Sequence, residues 1–201
     1  MTRDQTADRW RQVVEAGHRG DAATARAALT DPDPVARELA LGALARCSRL
    51  TDDDLAAALT DAEPGVRRRA VELVALRPHL DLLPSLHDPD DVVLEHAAWA
   101  CGEHEDVSDD VLARLIQLAS ASTVALVREA AVAALGAIGD QRGVAAILAG
   151  CADQPAVRRR AVLALAPFEG PEVDEAIERA LTDRDWQVRQ AAEDLVRASQ
   201  G

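Results

Sequence analysis

The sequence predicts an all-α fold, a right-handed α-solenoid of about six short helix pairs, and three observations predict it. The first is composition. The chain holds 42 Ala, only 2% aromatic residues and no Tyr. Ala and Leu are the strongest helix formers, while aromatic and β-branched residues favour strands. The second is an internal repeat. Ala-Leu-Thr-Asp ends at Asp31, Asp61 and Asp183, and Val-Arg-Arg-Arg-Ala-Val occupies both Val66–Val71 and Val157–Val162. The third is an apolar row at positions 0, +4 and +8 of each repeat, which is one stripe of an α-helix.

Six anchors begin these rows: Ala36, Val66, Val93, Val127, Val157 and Val188. The +4 position is Ala throughout (Ala40, Ala70, Ala97, Ala131, Ala161, Ala192), as close backbone approach demands. The +8 position holds Leu44, Val74, Cys101, Leu135, Leu165 and Val196. Pro34, Pro64 and Pro155 stand two residues before an anchor, where the first helical turn tolerates a missing N–H. Ahead of the first anchor, Thr6–Ala16 and Ala22–Thr30 supply one more pair. Residues 1–19 read as an N-terminal capping helix and 20–201 as repeats of a single domain. Second helices are expected at Asp52–Leu59, Leu80–Leu86, Asp109–Ala119, Arg142–Cys151 and Pro171–Leu181. Thr51 with Asp54 fits a capping box, Ser108 fits an N-cap, and Gly139, Gly150 and Gly170 fall where helices should stop.

The repeats resemble the short HEAT repeat of the phycobilisome-lyase (PBS lyase) type. The residues that carry the resemblance are Asp31-Pro32-Asp33-Pro34-Val35, Val66-Arg67-Arg68-Arg69-Ala70, Val127-Arg128-Glu129-Ala130-Ala131, Ala134-Leu135-Gly136, Val157-Arg158 and Val188-Arg189-Gln190-Ala191-Ala192. The resemblance covers about residues 20–201 and implies an armadillo-type helix stack. It also implies that the Val-Arg helices line the concave side. Two repeats depart from the pattern. The third has Leu94 where five others have Arg (Arg37, Arg67, Arg128, Arg158, Arg189), and the fourth opens on Ser120-Ala121-Ser122-Thr123 rather than an acidic turn. A bend or register change is expected between them.

Net charge is −13 and every basic residue is Arg. Phosphate backbones repel such a chain, so nucleic acid and anionic membranes are not expected partners. No apolar run approaches the ~20 residues of a membrane span. Cys47, Cys101 and Cys151 lack CxxC spacing and read as reduced thiols, which places the protein in the cytoplasm. The absence of Lys and Asn hints at a GC-rich bacterial genome.

Four constellations bear on function. The Arg after each anchor forms a ladder, read as bonding nearby turn acids such as Asp33, Asp61, Asp153 and Asp185 rather than as an anion site. Glu95-His96 and His104-Glu105 invite comparison with deoxyhypusine hydroxylase, a HEAT-repeat di-iron enzyme, but the order is reversed and the pair occurs in one repeat only. Trp99 with Glu103, and Asp185-Trp186, are similar to features of HEAT-like alkylpurine DNA glycosylases, whose basic character this chain lacks. No nucleophile elbow or phosphate loop is present. No catalytic, cofactor-binding or metal-ligating set is therefore assigned. The chain reads as a non-catalytic protein–protein interaction scaffold or adaptor that uses a concave groove of stacked helices, monomeric, with another protein as partner. The alternative is an enzyme or enzyme subunit, bilin-lyase-like or metal-dependent. Outward positions +2, +3, +6 and +10 name the expected partner surface: Arg68, Arg69, Glu72, Glu95, His96, Trp99, Glu103, Arg159 and Arg160, with Trp99 its only aromatic.

Overall fold

Local chemistry sets the helix starts in the computed structural model, which describes residues 3–199. Twelve α-helices are present there: α1 (Arg3–Arg19), α2 (Ala22–Ala27), α3 (Pro34–Arg46), α4 (Asp52–Ala58), α5 (Pro64–Val74), α6 (Asp91–Gly102), α7 (Asp109–Ala121), α8 (Ala125–Ile138), α9 (Val144–Gly150), α10 (Pro155–Ala164), α11 (Pro171–Ala180) and α12 (Trp186–Ser199). No strand occurs among the described residues. Pro opens α3, α5, α10 and α11, as its locked φ and missing donor allow. Asp33 and Asp90 cap α3 and α6, and Ser108 caps α7. Thr51 and Asp54 form the expected reciprocal capping box on α4.

Three expectations need correction. Leu80–Leu86 is not an α-helix. Asp81 accepts from the Leu83 amide, and Pro84 precedes a single 3₁₀ turn at Ser85–His87. Proline removes a donor that a helix through this segment would need. Arg142–Cys151 begins as a 3₁₀ turn at Gln141–Gly143, with Asp140 capping it, before α9 proper. Gly139 ends α8 in the left-handed conformation, as expected, but Gly170 opens α11 at φ 133° rather than closing a helix.

The chain divides into two compact units, residues 1–80 and 81–201. In the first unit α1 packs on α3 and α3 on α5, with α2 and α4 flanking. In the second, α6, α8, α10 and α12 pack in sequence, with α7, α9 and α11 forming the other row. The division falls at residue 80. The junction between the third and fourth repeats, where a bend or register change is expected, lies inside the second unit, and α6 packs directly on α8 there.

The anchor row is the core. All six anchors are at most 2% exposed and all six +4 alanines are fully buried. Small residues decide how close the helices come. A Cβ placed on Gly136 would lie 2.6 Å from the Cα of Ala164, and one on Gly17 would lie 2.8 Å from the Cα of Ala43. Backbones therefore touch between α8 and α10 and between α1 and α3, a contact that only glycine permits.

At three junctions an arginine clamp ties one repeat to the next. Arg37 grips Asp61 with Nε at 2.8 Å and Nη2 at 2.7 Å. Arg128 grips Asp153 at 2.6 and 2.7 Å, and Arg158 grips Asp183 at 2.9 and 2.7 Å. The Nη1 of each donates to the carbonyl of its own repeat's turn: Asp31, Ser122 and Asp153. Arg67 and Arg189 do the same with the Asp61 and Asp183 carbonyls. Hydrogen bonds from the arginines hold Asp61, Asp153 and Asp183 below the usual carboxylate range. The ladder is thus structural. Its acids are the first Asp of each turn, so Asp183 takes the role expected of Asp185, while Asp33 is held by Arg9 and Trp10.

Candidate functional site

A cleft of about 380 Å³ is lined by α6, α8 and α10 in the second unit. α6 contributes Glu95, Trp99 and Gly102, and its C-cap residue Glu103 follows. Glu95, Trp99 and Glu103 are spaced i, i+4, i+8, so they stand one above another on successive turns. α8 supplies the opposite wall, with Leu126 and Glu129 and a floor of alanines at 130, 133, 134 and 137. Arg160 closes one end from α10. Trp99 is 42% exposed and Leu126 54% exposed, so both present apolar surface to solvent.

The polar rim is mostly acidic. Arg160 and Arg159 approach Glu129 at 3.7 and 3.9 Å. The His96 Nδ1 faces the Val92 carbonyl at 2.8 Å and Glu95 at 2.6 Å, which turns the imidazole onto its own helix. Among the cleft residues, three carboxylates (Glu95, Glu103, Glu129) meet one guanidinium (Arg160). The site thus brings together Glu95, Trp99, Glu103 and Arg160 from the expected set, with Arg159 beside them.

Arg68, Arg69 and Glu72 belong to the first unit and line a different cleft, of about 440 Å³, with Val14, Glu38, Leu39, Gly42, Ala43 and Arg46. Arg68 pairs with Glu38 at 2.7 Å and with Glu72, and Arg69 reaches Glu72 at 2.7 Å. Those charges are largely spent within the helix row.

Sequence reasoning missed Leu126 and the α8 alanines, and with them the whole fourth repeat. The signal was present. Leu126 stands at position −1, and −1, +3, +6 and +10 share a helix face. The same position holds Val92 in α6, 49% exposed.

His104 is buried. Among the described residues no three His, Cys, Asp or Glu side chains are grouped to hold a metal ion. Burial pushes the Cys101 thiol up to about 12 and the Cys151 thiol up to about 11, so neither is a thiolate at neutral pH. Trp186 is 64% exposed at the start of α12 and does not line the Trp99 cleft. No helix among the described residues is long and apolar enough to cross a membrane.

Stacked helix pairs with a buried small-residue stripe and a side-chain-bearing outer face define an α-solenoid repeat protein. HEAT repeats match residues 79–155 and the PBS lyase HEAT-like repeat matches residues 157–183. The chain is a HEAT-repeat protein of the PBS lyase HEAT-like type. Curated protein sequences contain no match. Among solved structures, it is similar to the Escherichia coli protein YibA, with TM-score 0.63 and 20% identity over 79% of this chain; it spans only 62% of that protein's length. A designed armadillo repeat protein in complex with the peptide (KR)4 aligns with TM-score 0.62 and 18% identity, covering 93% of this chain and 98% of the design. Human deoxyhypusine hydroxylase in complex with glycerol aligns at 0.50 and 16% identity, covering 96% of this chain and 79% of the enzyme. At these identities the likeness is one of fold.

Proposed function

We propose that the protein is a cytoplasmic interaction scaffold without catalysis of its own, monomeric alone, that receives another protein in the groove over α6, α8 and α10. The observation that carries this reading is Trp99. An aromatic ring left 42% exposed beside Leu126, above a floor of alanines and inside a charged rim, has the composition of an interface centre. Stacked helices suit such a role because outer-face side chains vary from repeat to repeat while the inner stripe does not. The designed armadillo protein holds a peptide, an example of what this architecture can do. Arg159 and His96 flank the same face. Arg68, Arg69 and Glu72 provide a second patch on the first unit, where their mutual ion pairs would have to be exchanged for contacts with a partner.

The test is co-purification from the cells that make the protein, comparing the natural chain with Trp99→Ala. Truncating a hot-spot Trp costs roughly 2 kcal/mol or more of binding. Partners should therefore drop out with the variant while its circular-dichroism melt stays in place. Unchanged capture would move the binding face elsewhere.

A further inference from the structure

The charge of the Trp99 cleft narrows what can occupy it. Glu95 on α6 and Glu103 at its C-cap stand one turn before and one turn after Trp99, and Glu129 faces them from α8, with Arg160 the single cation of the lining. Trp99, between the two carboxylates, is 42% exposed. A cation laid on an indole face is attracted by the ring's quadrupole, and Trp is the strongest of the aromatic acceptors. Here the same cation would lie within a helical turn of both carboxylates. The alkyl stem of Arg or Lys would rest on the floor of alanines and on Leu126, as such stems do on apolar surface. The chain carries 35 acidic residues against 22 arginines, which steers cationic partners toward it and anionic ones away.

We infer that the Trp99 cleft is a receptor for an Arg or Lys side chain presented by a basic segment of the partner protein. This deepens the scaffold reading and rests on it. An anionic ligand would meet three carboxylates there. A second copy of this chain would bring another −13 of net charge.

The probe is an octa-arginine peptide, titrated calorimetrically into the full chain at about 50 mM and about 300 mM salt, with octa-glutamate as control. Octa-arginine should bind, more weakly at the higher salt, and octa-glutamate should not. Trp99→Ala should weaken binding by about five-fold or more. The double variant Glu95→Gln with Glu103→Gln should weaken it at least as much. Glu175→Gln with Glu178→Gln removes the same charge from exposed positions on α11 and should leave affinity within about two-fold. Equal weakening by the two double variants would reduce the effect to general attraction and overturn the inference. If Trp99→Ala fails to fold, the paired carboxylate variants still decide the matter. A Trp99-dependent dimer seen by sedimentation without peptide would make a second copy the occupant, also overturning it. If cellular partners are lost with Trp99→Ala yet octa-arginine does not bind, the scaffold stands and the basic-segment inference falls; if neither depends on Trp99, both fall.

Discussion

Single side chains set the spacing of this stack. Gly136 meets the Ala164 backbone so closely that a Cβ would sit 2.6 Å from its Cα, and Ala161 is fully buried in the +4 row. In an isolated helix Gly→Ala gains roughly 1 kcal/mol. Here the sign should reverse, because a backbone atom cannot step aside as a flexible side chain can. Gly136→Ala and Ala161→Leu should each lower stability by about 1–3 kcal/mol through overpacking. Glu178→Ala, on the exposed face of α11, should change it by less than about 0.5 kcal/mol. Thermal melts rank the three directly, and a Gly136→Ala protein as stable as the natural chain would mean that α8 and α10 do not touch as described. Much at this scale was readable beforehand. The anchors and the invariant Ala spoke through period alone, since a residue repeated at helical spacing without variation has a steric cause. Glu129 did not. Its carboxylate is only 18% exposed, with Leu126 and Arg160 lining the same cleft and Arg159 within 3.9 Å. Cross-helix crowding has no signature within one helix.

Elements are joined by the clamp, and there the sequence held a correlation visible only with the geometry in hand. The turn Asp of one repeat receives the Arg of the repeat before it. The junction from α6 to α8 lacks both partners: Leu94 replaces the Arg and Ser122 the Asp, and Leu94 is buried. Losing both leaves no orphaned charge, whereas losing one would. The two departures from the repeat pattern are therefore one compensated change. The same logic predicts mutants. Arg128 and Asp153 are 13% and 19% exposed, so Arg128→Met strands a carboxylate and should cost about 2–3 kcal/mol. Arg128→Met with Asp153→Leu should recover much of that loss. The clamps also predict pH behaviour. The folded-state values of Asp61, Asp153 and Asp183 lie below the unfolded one, held down first by hydrogen bonds from arginine. Their contribution is thus complete above the unfolded carboxylate value near 3.9 and is lost as pH falls through the lower folded values. Denaturant midpoints should be flat from about pH 5 to 7 and drop below about pH 4. Arg128→Met should show a shallower drop. The helix expected at Leu80–Leu86 is absent for a reason also written in the chain: Pro84 lies inside that segment.

At the scale of the whole molecule, each compact unit owns a buried core. Leu41, Leu44, Leu55, Val71 and Val74 fill the first; Leu86, Leu115, Leu135, Ile147 and Leu165 fill the second. Between α5 and α6 the chain runs without an α-helix, and Leu76 is 83% exposed. Residues 81–201 made alone should keep their helical circular dichroism and melt cooperatively, since repeat arrays are stabilised by nearest neighbours. A noncooperative fragment would place essential contacts outside that unit. Net charge acts at this scale too. Non-specific duplex binding needs several phosphates neutralised, and its usual dissociation constant is about 10⁻⁴–10⁻⁶ M at physiological salt. Arginine is the sole basic residue here, and Arg37, Arg128 and Arg158 spend their charge on clamp carboxylates. The rest meet an excess of acids. Gel-shift assays with about 10 µM protein in about 150 mM salt should therefore leave duplex DNA unshifted. Lowering salt tenfold should not rescue binding, because weaker screening strengthens repulsion as much as attraction. A shift that grew as salt fell would reveal segregated positive charge, and would make Trp186, exposed at the head of α12, the first residue to mutate.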